Sequence, residues 1–402
     1  MATWSCAEQR TEFLRKMAEK IEKVQTRKAL REFIYFPEKL YRGDPLWSPP
    51  IWMEERQTFT TRNLFLAHSD YALFLARENG EVVGRVLAYV DHNFNDYYHS
   101  KIGMFGSFES VRRPEVAGVL FAETEHWLIG RGMDTIRGPI NPVAECWGYL
   151  YRGFERAATF MMPYNPSYYN EYLDGLGYQK IKDLLAFEGD TKQGYQIPER
   201  FIRFREKLLA RRPNIRIRRI DMKHLTRDAE AIWRISNQAI RDNWGWVPYD
   251  KDELKSTIKK LKPIADPDAI WMVEDAGQPV GFCLGFPDIN IILRQIRGRI
   301  LPFGFITLVR KRKRLQDFRL FGLAVLPEYH SQGLDVLLYM SLFEALAPRG
   351  VRLEASYVLE DNSSMINALQ KLGLKITKTY RVYEKALSAD RHIDRSMKGK
   401  KP

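Results

Sequence analysis

The chain has 402 residues, a length that exceeds one ordinary core and suits two domains of roughly 150–200 residues. Hydrophobic residues at 45% and charged residues at 28% exclude a disordered chain. No uncharged stretch reaches the roughly 18 residues of a membrane span, and Glu8, Arg10 and Glu12 interrupt any signal-peptide run, so a cytoplasmic location is expected. Cys6, Cys146 and Cys283 are widely spaced and form no CxxC, which suggests neither a disulfide framework nor a zinc site. All three are expected to be buried small residues, and no metal is implied.

In chain order, residues 71–89 read as strand, tight turn and strand, with Asn79-Gly80 at the turn. A third strand is predicted over 102–110. An apolar stripe at helical spacing follows over 114–131, marked by Val116, Val119, Leu120 and Trp127. A strand, a second helix ended by Gly177 and a closing hairpin complete this unit. Residues 199–210 carry a helical pattern between Ile197-Pro198 and Arg212-Pro213, and read as a bridging helix. The same succession then recurs: hairpin over 269–286, strand over 318–326, helix over 332–347, strand over 353–358, and a helix over 365–372 ended by Gly373. Asn362 stands where that last helix needs an N-cap. Gly84 pairs with Gly281 and Gly177 with Gly373, offsets of 281 − 84 = 197 and 373 − 177 = 196. Two landmarks at nearly one offset argue for a duplicated α/β (α+β) domain. The copies are placed at 1–195 and 214–390, with a linker over 196–213 and a basic tail over 391–402.

The net charge of +13 is concentrated in that tail and over 294–319, where arginines and lysines alternate with Leu301, Phe303, Phe305, Ile306 and other large apolar residues. Charge mixed with aliphatic bulk fits an anionic membrane face, or a solvated basic face over ordinary helices, better than a nucleic acid.

The sharpest local signal is the stretch from Phe321-Gly322 through Val325, Pro327, His330, Ser331, Gln332, Gly333, Leu334 and Asp335 to Tyr339. A strand runs into a glycine turn and a helix starts at once, an arrangement whose backbone N–H groups cradle a pyrophosphate. This resembles the V-x-P-x-x-(Arg/Gln)-x-x-Gly-x-(Gly/Ala) motif of the GNAT superfamily, in which the turn holds acetyl-CoA. Gly333 matches the first glycine, whereas His330 and Asp335 depart from the motif. The resemblance implies a tandem duplication of the GNAT fold, acyl-CoA or acetyl-CoA as co-substrate, and a CoA site made by Val325, His330, Ser331, Gln332, Gly333, Leu334 and Asp335. The alternative is a plain strand-to-helix turn in a scaffold that binds no thioester. The N-terminal copy has no glycine after Arg112-Arg113, so no CoA is expected there.

Over nearly its full length the chain also resembles bacterial two-domain GNAT-like proteins that are similar to bacterial ceramide synthases. Matching segments surround Asn141 and Glu145, Tyr164, Asn243 with Trp244 and Trp246, Asp288 with Asn290, and Glu354, Tyr357 and Asn362. An N-acyltransferase is implied, with an amine acceptor that a lipid amine would satisfy; a non-catalytic GNAT-fold scaffold is the alternative. Amide formation needs a base, an oxyanion donor and an acid. Glu354, on a mostly apolar strand, is a candidate base whose pKa burial would raise; a salt bridge to a nearby Lys or Arg is the other reading. Asp288 is a second carboxylate candidate. Leu369 occupies the position of the usual GNAT tyrosine, which leaves Tyr357, Tyr380 or Tyr383 as candidate acid. Trp244 and Trp246 are expected to wall an acceptor channel or to pack in a core. Asn141, Glu145, Tyr164, Asn243, Asn290 and Asn362 stand as further candidate substrate-binding residues.

Overall fold

Thirteen strands join in one continuous twisted sheet in the computed structural model, which describes residues 21–60, 63–142, 146–248 and 251–388. Cys6, Glu145 and the basic tail lie outside the described residues. The strands are β1 (Ile21–Lys23), β2 (Ser69–Glu78), β3 (Glu81–Asp91), β4 (Ile102–Ser110), β5 (Thr135–Gly138), β6 (Tyr149–Arg152), β7 (Gln179–Asp190), β8 (Ile215–Arg219), β9 (Ile270–Asp275), β10 (Gln278–Pro287), β11 (Asp317–Val325), β12 (Arg352–Leu359) and β13 (Lys375–Ala386). Their order across the sheet is β1-β2-β3-β4-β5-β13-β7-β12-β11-β10-β9-β8, with β6 beside β13.

Local chemistry accounts for most of this. The β2–β3 turn places Asn79 and Gly80 at φ 50° and 82°, the left-handed geometry that twists two strands together. The helix Pro114–Ile129 opens with proline at its first position and buries Val116, Leu120 and Leu128 against β2–β4. Its counterpart Leu334–Leu346 buries Leu334, Leu337, Leu338 and Leu342 against β9–β11. The bridging helix spans Glu199–Arg211, and Arg205 ties it to Glu344 at 2.6 Å.

The closing hairpin expected in each copy is replaced by one long strand, and the two are exchanged. β13 runs antiparallel to β5, from Tyr383↔Gly138 to Ala386↔Thr135, while β7 runs antiparallel to β12, from Arg352↔Asp190 to Ala355↔Phe187. Phe187 is thereby fully buried in the core of the C-terminal half and Tyr383 in that of the N-terminal half. The physical reason is edge protection: β7 and β13 also pair with each other, so neither half ends in an open strand. Cys283 is buried as expected, but Cys146 sits half-buried in a loop, where its Sγ accepts from Asn141 Nδ2 at 3.5 Å.

Candidate active site

β11 and β12 are parallel neighbours only from Asp317↔Arg352 to Leu320↔Ala355, then they part. The register against β10 jumps at the same place: Gly285 pairs with Leu320 and Leu284 with Gly322, so Phe321 is a bulge residue. Beyond Leu320, the edge of β11 that faces β12 has no ladder partner. A cavity of about 310 Å³ occupies this splay, walled by residues 320–324 on one side and 355–359 on the other. The N-terminal copy completes it with Tyr89, Met104 and Ile140.

In the N-terminal copy the equivalent gap is filled. β4 and β5 pair from Ile102↔Thr135 to Met104↔Arg137, after which the chain folds back between them. Ile140 N donates to Phe105 O at 2.8 Å, and Asn141 Oδ1 accepts from Ser107 N at 2.7 Å.

Asn243, Trp244, Trp246, Tyr357, Asn362 and Asn141 are brought together around the open cavity. The two tryptophans do wall it, though as partly or fully buried residues instead of an exposed loop. Trp244 meets Trp147 edge-on at 6.1 Å, and Trp246 meets Tyr97 at 5.7 Å. The Tyr357 hydroxyl donates to Trp147 O at 2.8 Å. Asn362 caps the helix Ser363–Lys371, accepting from Met365 N at 3.1 Å. Leu369 also lines the cavity, an apolar side chain where a tyrosine is usual. Tyr164 and Asn290 line a second, larger cavity, where Tyr164 donates to Asp44 and Asn290 Nδ2 to Ala158 O at 2.9 Å.

Glu354 lies elsewhere. It is 1% exposed and touches neither cavity; Lys378 Nζ donates to it at 2.8 Å and Thr159 Oγ1 at 2.7 Å. Burial raises its carboxyl, but Lys378 and the hydrogen bonds outweigh burial and hold it below the ordinary value, the reverse of what a base on an apolar strand requires. Asp288 is also buried, accepts from Asn290 N at 3.0 Å, and is pushed up to about 6 by burial, again outside both linings. Arg319 leaves the basic face to which its position in sequence assigns it. It is 1% exposed inside the sheet, donating to Ser356 Oγ at 3.1 Å and to Ser356 O at 3.2 Å, because β11 is flanked on both sides.

The turn with the CoA-type motif continues from β11 away from the splay. Gly333 has φ 79°, a left-handed conformation that strains any residue with a Cβ, and the tip of the Phe204 ring from the bridging helix packs over it. His330 folds inward, its Nε2 2.9 Å from Val325 O. Ser331 adopts φ 59° and Leu334 is buried. Gln332 accepts from Arg212, which sets a guanidinium beside the turn. Asp335 sits in the first turn of the helix, where acids favour the dipole. The backbone N–H groups of that turn, orphaned by helix geometry, and Arg212 together suit a pyrophosphate.

Sequence reasoning missed the charged part of the lining. His68, Asp91 and Arg137 of the N-terminal copy and Glu253 of the C-terminal copy also line the open cavity. His68 Nδ1 lies 3.2 Å from Asp91 Oδ1, and Asp91 raises the imidazole above its ordinary value, partial burial opposing and Glu253 assisting. Arg137 is held by Glu384 and stacks on Trp244 at 5.3 Å. No motif points to them: Trp47, 197 residues before Trp244, lines the second cavity and not this one.

The chain matches the Acetyltransferase (GNAT) family over residues 229–374. It belongs to that family as a tandem of two copies of the fold, and is an acyl-CoA-dependent N-acyltransferase. Protein YghO of Escherichia coli (strain K12) is 30% identical over 367 residues, covering 89% of this chain and 93% of that protein. Bacterial ceramide synthase of Caulobacter vibrioides (strain NA1000 / CB15N) is 31% identical over 374 residues, covering 90% and 96%. Among solved structures, a tandem GNAT protein from the clavulanic acid biosynthesis pathway shares the fold with a TM-score of 0.54 at 10% identity, covering 92% of this chain and 99% of that one.

Proposed function

We propose that this chain transfers an acyl group from acyl-CoA to the amine of a long-chain lipid at an anionic membrane surface. The observation that carries the reading is the face built by the helices Asn290–Ile296 and Gly304–Lys311 and the segment between them. Leu301 and Phe303 are 68% and 75% exposed, far beyond what a solvated helix face requires, and Phe305, Ile306 and Ile291 stand out beside them. Arg297, Arg299, Arg310, Lys311, Lys313 and Arg314 are exposed on the same segment. Aliphatic and aromatic side chains enter the acyl boundary while the cations meet anionic headgroups. Among the described residues no helix is long and apolar enough to cross a membrane. The name of the Caulobacter relative points the same way, since a ceramide is an N-acylated lipid amine.

The acceptor arrives as an ammonium. His68, oriented by Asp91, takes its proton, and the free amine attacks the thioester carbonyl in the splay. Backbone N–H groups at the Phe321 bulge stabilise the oxyanion. The C–N bond forms as the C–S bond breaks, and Tyr357 protonates the departing thiolate. The test is acylation of amines of increasing chain length, including a sphingoid base, presented in neutral and in anionic vesicles. At about 0.8 kcal/mol per methylene, four added carbons should raise kcat/KM by about two-hundredfold. Equal rates for short polar amines would refute the lipid acceptor, and equal rates in both vesicle types would refute the membrane face.

A further inference from the structure

A second cavity, of about 440 Å³, lies in the N-terminal copy where the first lies in the C-terminal one. Trp47 precedes Trp244 by 244 − 47 = 197 residues, the offset that relates Gly84 to Gly281, and each tryptophan lines the cavity of its own copy. The helix Trp52–Thr58 gives Glu54 and Glu55 to the second cavity as the helix Lys251–Leu261 gives Glu253 to the first. The donor half of the N-terminal site is plugged by Ile140 and Asn141, yet its acceptor half persists.

The chemistry of this space is apolar and acidic at once. Trp52, Phe160, Met162 and Leu293 supply carbon; Glu54, Glu55 and Glu109 supply carboxyls. Glu109 accepts from the Tyr169 hydroxyl at 2.9 Å and from Tyr41, and burial pushes it up to about 7. Two cations share the wall: Arg85, whose Nη1 donates to Phe33 O at 2.7 Å and whose charge opposes the rise of Glu55 and Glu109, and Lys260, whose charge does the same for Glu54. With Glu253 the wall still holds four carboxyls against two cations. Asn141, Pro142 and Glu253 line both cavities, so the partition between them is shared side chains. On the other side, the helix Asn290–Ile296 turns Leu293 into the cavity and Ile291 outward onto the exposed apolar face, and Trp52 Nε1 bonds Arg297 O at 3.0 Å.

We infer that the second cavity binds the acyl acceptor: a long-chain primary amine enters beside the apolar face, its ammonium drawn inward by the carboxyls and its chain trailing along Trp52, Phe160 and Leu293. The amine then meets the thioester across the Asn141 partition. This rests on the lipid-amine reading and goes beyond it by assigning the chain a site in the copy that holds no donor. Carboxyls in the wall favour the cationic acceptor over the neutral acyl chain of the donor, and the CoA-type turn lies at the bridging helix, away from this entrance.

Ser256→Trp fills the cavity from its wall, and Glu55→Gln removes charge without changing shape. Purified full-length variants are assayed with palmitoyl-CoA against a short and an eighteen-carbon amine, and with a short and a long acyl-CoA against one amine. Retained acyl-CoA affinity in calorimetry reports that each variant is folded. The ratio of kcat/KM for the long over the short amine should fall about tenfold in Ser256→Trp, the equivalent of displacing two methylenes. Glu55→Gln should raise KM for the long amine and leave the acyl-length profile in place. A wild-type enzyme indifferent to amine length would overturn the lipid-amine reading itself. A wild-type preference that survives in both variants would overturn only the cavity assignment. Loss of acyl-length preference in Ser256→Trp would give the cavity to the donor and overturn it equally.

Discussion

Gly106 and Gly322 each follow a phenylalanine in the third strand of their copy, beside a bulge, and meet opposite surroundings. A Cβ on Gly106 would lie 2.6 Å from Ile140 O and 2.8 Å from Asn141 Oδ1. A Cβ on Gly322 would meet nothing nearer than Phe282 at 3.8 Å and Leu284 at 4.0 Å. Duplication kept the strand and its glycine, with the bulge after Gly106 in one copy and before Gly322 in the other; the copies diverged further in the chain that follows the parallel neighbour. After β5 the backbone turns into the gap, whereas β12 continues to Leu359 along β7 and leaves its gap open. The open gap is thus the one proposed for the thioester, and the filled one leaves its copy to the proposed acceptor.

If the N-terminal copy supplies chemistry and not only walls, His68→Gln should lower kcat by about 10²–10⁴, the usual worth of a positioned base. The base works neutral, and Asp91 with Glu253 holds the proton on. In the wild type kcat/KM should thus climb with pH through a value above the ordinary 6.5, and the variant should lose that limb. A limb unchanged in His68→Gln would assign the proton transfer to another group.

The exchanged strands test whether the halves are separable at all. Lys378 on β13 and Glu354 on β12 form a pair with side chains 0% and 1% exposed. Lys378→Met leaves the carboxylate buried and unpaired, which should cost about 3–5 kcal/mol in urea unfolding at pH 7. The folded Glu354 pKa is depressed, so the contribution of the pair is present above the ordinary 4.5 and lost as pH falls through the lowered value. The variant and the wild type should converge in acid. Both should unfold in one transition, because Phe187 and Tyr383 each sit in the other half's core. Two resolved transitions would show the halves to be independent.

What could be read from the sequence was local. The strand Ile102–Ser110 has the bounds its pattern predicts, and the helices at 114 and 334, the cap at Asn362 and the 197-residue offset follow from turn chemistry and apolar spacing. The partners of β7 and β13 could not be read, because a strand's pattern fixes which face is buried and not which neighbour it takes. The same limit hid Lys378 from Glu354, 24 residues away on a strand that is not even adjacent. The tryptophans at 244 and 246, which line the cavity while Trp246 is buried and Trp244 packs on a core cluster, were legible as wall or core. His68, Asp91 and Glu109 were not, since they belong to the copy without the glycine turn, and only the fold brings them to a cavity.

The smallest effects bear most directly on the two gaps. Gly106→Ala forces a methyl onto the Ile140 carbonyl, an atom of backbone that already accepts from the Tyr89 hydroxyl at 3.1 Å, so the plug must shift. Overpacking of this kind should cost about 1–3 kcal/mol of stability. Acyl-CoA affinity should stay as it is if the donor binds only the C-terminal copy, as proposed. Gly322→Ala adds the same methyl where Phe282 and Leu284 leave ordinary contact distance, and stability should change by no more than about 0.5 kcal/mol. The methyl is instead added in the wall of the open splay, so if the thioester is seated there as proposed, acyl-CoA affinity and kcat should fall together. Thermal unfolding and calorimetry on the two variants separate the outcomes. Should Gly106→Ala be the one that weakens acyl-CoA binding, the donor would belong to the N-terminal copy and the contrast between the gaps would be reversed.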